Sequence, residues 1–81
     1  MEADPVFTGF VDRRARLMAR LDSSRSVVDE WIEQHKTEHP DVGDLARLEG
    51  LLAERRNLLE DLSRLDESLL EHLVVLLGRS G

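Results

Sequence analysis

Residues 44–77 read DLARLEGLLAERRNLLEDLSRLDESLLEHLVVLL, and this stretch decides the fold. Its leucines recur three and four residues apart, the spacing that gathers side chains on one side of an α-helix. Leu45, Leu48, Leu51, Leu52, Leu58, Leu59, Leu62, Leu65, Leu69, Leu70, Leu73, Leu76 and Leu77 cover a sector of about 160°, wider than the ~100° stripe that meets one neighbour. A helix that broad wants two neighbours.

The chain upstream supplies the first of them. Phe10, Leu17, Leu21, Val28 and Trp31 repeat with the same spacing, and Met18 and Ile32 widen the stripe. Asp4-Pro5 reads as an N-cap with proline at the first helical position, while Thr8 is a competing start because Gly9 weakens a helix begun earlier. Ser23-Ser24 interrupts the apolar pattern, and a kink is allowed there. His39-Pro40-Asp41-Val42-Gly43-Asp44 is the strong breaker cluster, with Asp41 or Asp44 able to cap the next helix. The spacing thus predicts a first helix over about 8–38, a loop over 39–43, a second helix over about 44–77, and Gly78 ending it. Two helices of matched length, roughly 45–50 Å each at 1.5 Å per residue, joined by one short loop make an antiparallel hairpin. The expected fold is all-α, a single domain over residues 1–81.

Composition agrees. Apolar residues are 41% and charged residues 35%, which is too apolar for a disordered chain. Cysteine is absent, so disulfides, thiolate metal sites and cysteine nucleophiles are excluded. A domain this small without staples suits a reducing interior, and a cytoplasmic, soluble protein is expected. The first ten residues lack a signal-peptide pattern, and the run Leu73 to Leu77 falls far short of the ~20 residues of a membrane span. The net charge of −6 argues against nucleic acid as a partner. The charge is uneven: residues 1–28 hold five arginines against four acids, residues 29–49 two bases against seven acids.

A two-helix hairpin alone buries little apolar area against its chain entropy. The spare leucine face therefore calls for a second copy or a partner helix, and a dimeric coiled coil or four-helix bundle is the simplest closed solution. The interface expected from the spacing comprises Leu48, Leu52, Leu59, Leu62, Leu69, Leu73 and Leu76. Arg55 and Asp66 project in nearly the same direction within the leucine sector. They either sit at its edge, with Arg55 snorkelling to water, or pair between two antiparallel copies as register markers. Arg14, on the apolar stripe of the first helix, is a rival partner for Asp66. Trp31, the one large aromatic beside two phenylalanines, fits either a core anchor or an interface hot spot.

Little in the sequence suggests chemistry. His35-Lys36-Thr37-Glu38-His39 spells H-x-x-E-H, an inverted zinc-protease motif, and histidines four apart can share a metal. His39 precedes Pro40, however, where helical geometry fails, and no third ligand is placed. His72 lies at the border of the leucine sector. No phosphate loop or Ser-His-Asp set occurs. Lys36 is the only lysine, so the paired cations of a helical mutase are not in place. No catalytic residue, cofactor, metal or small-molecule substrate is expected.

Trp31 followed by Asp44-Leu45, Leu48, Leu51-Leu52, Arg55, Leu58 and Asp61-Leu62 resembles the first two helices of a spectrin-type repeat. Leu62, Leu65-Asp66, Ser68-Leu69-Leu70, Leu73 and Leu76, about fifteen residues, look like the leucine-rich helix of leucine repeat adapter proteins. Either resemblance implies a cytoplasmic scaffold or adapter. The expected function is a non-catalytic protein–protein interaction module, binding itself or a partner helix. The alternative is a small secretion-type chaperone that holds a client's amphipathic helix.

Overall fold

The computed structural model describes residues 4–80, and the hairpin is there: α1 spans Pro5–His35 and α2 spans Val42–Ser80, with no strand among the described residues. The molecule measures 61 × 19 × 15 Å.

The helix boundaries differ from the spacing-based expectation, each for a local reason. Asp4 wins over Thr8 as the start, because its Oδ1 accepts the Val6 N–H at 3.0 Å and Pro5 has no N–H to lose. The Thr8 hydroxyl instead donates to the Asp4 carbonyl, so Thr8 reinforces the cap. At the other end α1 stops at His35, whose Nδ1–H turns back onto the Trp31 carbonyl at 2.8 Å and satisfies a terminal acceptor. Asp41 caps α2 in a reciprocal box: its Oδ1 accepts the Asp44 N–H at 2.8 Å while Asp44 Oδ2 accepts the Asp41 N–H at 3.2 Å. Helix α2 then continues through Gly78, and no described glycine takes a positive φ, so the expected glycine stop is absent. Nor does α1 kink into two pieces at Ser23-Ser24; it is one element, with Ser24 buried.

Burial follows a stricter pattern than the leucine stripe suggests. On α1 the side chains along the seam are Phe10, Arg14, Leu17, Leu21, Ser24, Val28, Trp31 and His35, alternately four and three residues apart. On α2 they are Asp44, Leu48, Leu51, Arg55, Leu58, Leu62, Leu65, Leu69, His72 and Leu76, with the same alternation, and all ten are buried or half-buried. This is the knobs-into-holes repeat of a two-stranded antiparallel coiled coil. Its dry centre is small: Phe10, Val28, Trp31 and Leu58 are the buried apolar side chains among the described residues.

The register can be read from cross-helix pairs. Phe10 lies against His72 at 5.9 Å between ring centroids, Arg14 reaches Asp66 at 3.1 Å, and His35 Nε2 faces Asp44 at 3.5 Å. The N-terminal end of α1 thus lies beside the C-terminal end of α2.

Candidate interaction surface

An antiparallel coiled coil has two flanks, and here they differ in kind. The residues just after Phe10, Leu17, Ser24 and Trp31 are Val11, Met18, Arg25 and Ile32. Those just after Asp44, Leu51, Leu58, Leu65 and His72 are Leu45, Leu52, Leu59, Asp66 and Leu73. At 100° per residue these two rows lie on the same side of the seam and form one flank. Seven of its nine residues are apolar. Six of those stand well out of the seam, from 38% exposed for Met18 to 50% for Leu45, and Leu73 is half-buried. A shallow groove on this side is bounded by Leu59, Leu62, Asp66 and Leu70.

The opposite flank carries Val6, Arg13, Arg20, Val27 and Gln34 from α1 and Arg47, Glu54, Asp61, Ser68 and Val75 from α2, so it is charged along its middle, with Val6 and Val75 exposed at the end away from the loop. Its grooves are edged by Arg13, Arg20, Glu54, Arg47 and Asp61. Arg13 also lies over the Phe10 ring, 5.1 Å from its centroid, shielding the end of the core with a cation.

The residues expected at the interface divide between these environments. Leu48, Leu62, Leu69 and Leu76 are half-buried seam positions taken up by the chain's own α1, and Trp31, 9% exposed, is the core anchor. Leu52 and Leu59 are on the open flank, with Leu73 at its end. Arg55 is a half-buried seam residue level with Ser24. Asp66 pairs with Arg14 of the same chain, the rival partner that the first helix offers. Apolar spacing alone casts Met18 and Ile32 as a broadening of the core stripe, whereas with Val11 they form a second row. The seven-residue steps from Val11 to Met18, Arg25 and Ile32 are the signal in the sequence that marks it.

The polar groups at the two ends serve the fold. Asp4 uses Oδ1 to cap α1 and Oδ2 to accept the His72 Nε2–H at 2.8 Å. Asp44 uses Oδ2 within the α2 cap and turns Oδ1 toward His35. Each capping carboxylate therefore also ties its helix to a histidine of the other. The His72 hydrogen bond is the main reason the Asp4 carboxyl sits below the ordinary aspartate range; partial burial opposes it and the Val6 N–H assists. His35 also stacks on Trp31, 4.2 Å between centroids. The H-x-x-E-H spelling thus has one histidine committed to the helix end and the other in the loop. No cluster of three metal-binding side chains occurs among the described residues.

Among the described residues, two buried side-chain polar atoms have no partner, the Ser24 hydroxyl and the Trp31 indole N–H. Both belong to seam positions near the loop half of the hairpin. No helix among the described residues is long and apolar enough to cross a membrane. Compared with protein-family models, with curated proteins and with solved structures, the chain matches none of them.

Proposed function

We propose that this chain is a non-catalytic protein–protein interaction module that works through the apolar flank formed by Val11, Met18, Ile32, Leu45, Leu52 and Leu59. The observation that carries the reading is the contrast between flanks: the seam is complete without these residues, yet they remain 38–50% exposed along one side of it, interrupted on α1 by Arg25. Apolar side chains left exposed together on one side of a small domain support a binding face there. The histidines and aspartates that could suggest chemistry are engaged in caps and cross-helix ties, which supports a structural role for them. A chain without cysteine fits a reducing compartment, and we assign the module to the cytoplasm on that ground.

The test is a double substitution, Leu52→Glu with Leu59→Glu, set against Val27→Glu on the charged flank. The apolar-flank pair is expected to keep the helical circular dichroism and to weaken association by at least about 30-fold, the weight of a hot spot. Unchanged association would reject the flank as the binding face. A second reading, a chaperone for an amphipathic helix, draws support from the groove bounded by Leu59, Leu62 and Leu70. It predicts that the isolated chain binds apolar dyes strongly, because the groove stays open until a client arrives.

A further inference from the structure

At the loop end of the hairpin, the end of α1 meets the cap of α2 through a contact whose sign is set by one proton. We infer that His35 is a pH-sensitive latch: a proton bound at its Nε2 draws the last turn of α1 onto the capping carboxylate of Asp44, and loss of that proton releases it.

The two ring nitrogens differ in freedom. Nδ1 lies 2.8 Å from the Trp31 carbonyl oxygen, and a carbonyl only accepts, so Nδ1 carries a hydrogen. In a neutral imidazole that leaves Nε2 as a bare lone pair, and Nε2 stands 3.5 Å from Asp44 Oδ1. The neutral ring therefore turns an acceptor toward a carboxylate, which repels it. The imidazolium turns an N–H and a positive charge toward the same oxygen, which attracts it. Two further contacts favour the charged ring. It stacks on Trp31 with 19° between the planes, and an indole face attracts a cation. It also stands in the last turn of α1, at the negative end of the helix dipole. Burial works against the charge, because the side chain is only 20% exposed.

The neighbouring charges add to Asp44. On the α2 side, Asp41 is engaged in the cap, accepting the Asp44 N–H, and Arg47 borders a groove with Trp31 and Glu30. From α1 and the loop, Lys36 is paired with Glu33 at 2.7 Å, while Glu38 and His39 are exposed. Acids outnumber bases over residues 29–49, so the local field favours a cation. His72 at the far end behaves differently. Its Nε2 donates to Asp4 at 2.8 Å, and a neutral ring can keep its one hydrogen there, so that tie weakens on deprotonation without reversing.

The contacts of the charged His35 ring exist only in the folded hairpin. Their stabilisation is therefore present below the ordinary imidazole range, about pH 6.5, and is lost as pH rises through it. Nitrogen-15 NMR of the histidine rings in the unmodified chain reads the proton directly. His35 is expected to carry hydrogen on Nδ1 alone at about pH 8 and on both nitrogens at about pH 5.5. A hydrogen on Nε2 at the higher pH overturns the latch, and this spectrum decides even where a variant fails to fold. The melting temperature is expected to fall by about 4 °C or more between the same two conditions, across which Asp and Glu stay ionised. His35→Gln should remove most of that fall, and so should Asp44→Asn, which keeps an acceptor for the Asp41 N–H; His39→Gln should leave it in place. No fall in the unmodified chain, or an undiminished fall in either His35→Gln or Asp44→Asn, overturns the proposal.

Discussion

The two flanks of the hairpin are built from the same two helices and border the same seam, yet one is mostly half-exposed Leu, Ile, Met and Val, broken by Arg25 and Asp66, and the other is mostly Arg, Glu, Asp and Gln, with Val6, Val27 and Val75 among them. A monomeric coiled coil gains nothing from that difference, because its stability comes from the seam and either flank could be polar. What the asymmetry teaches is that seam and apolar flank have separable duties, folding for the first and association for the second.

The largest expected effect sharpens that separation. Leu58, 3% exposed, is the most buried leucine of the seam, and Leu58→Ala should cost about 2–5 kcal/mol in urea or thermal melts, through lost transfer energy and the cavity left behind. In a two-helix fold this is expected to unfold much of the population, whereas the Leu52→Glu, Leu59→Glu pair should leave the monomeric hairpin helical. If Leu58→Ala and the flank pair unfold the chain alike, folding and association are one process and the separation fails.

Ser24 offers a smaller effect of opposite sign. Its hydroxyl is buried without a partner, so Ser24→Ala removes an uncompensated polar group and adds helix propensity. A gain of about 1 kcal/mol is expected in the same melts, with no change in sedimentation. A loss would mean that the hydroxyl has a partner in solution.

The ion pair of Arg14 and Asp66 should count for little, because both side chains are nearly half exposed, 46% and 44%. Arg14→Ala is expected to change stability by about 0–1 kcal/mol, the range of solvent-screened pairs. A change well beyond that would show the pair to be buried on association, which would tie it to the apolar flank.

The end ties predict a modest pH dependence. The Asp4 carboxyl is held below its ordinary value by His72, so its contribution is present above the ordinary aspartate range and fades as pH falls through the lowered value. Asp4→Asn keeps a good N-cap while removing the charge. It should flatten the fall in melting temperature below about pH 4. An unaltered acid limb would show that the His72 contact does not contribute.

Much of this architecture is dictated by the sequence alone. The breaker cluster around Pro40 and the threes and fours of leucine require two helices and a turn, since proline and glycine punctuate the backbone locally and apolar periodicity needs no knowledge of the partner. The Asp4-Pro5 start and the capping capacity of Asp41 are likewise local chemistry. Which leucines face α1 and which face outward was decided only by the tertiary structure. The leucine sector of α2 is continuous, and a rotation of one residue, about 100°, would exchange the seam row of Leu48, Leu62 and Leu69 for a neighbouring row. Register with α1 breaks that degeneracy: Trp31 and Phe10 choose the seam, Asp66 goes to Arg14, and Asp4 meets His72 across 68 residues of chain. Pairings that distant depend on where the two helices come to lie, and short-range spacing carries no record of it.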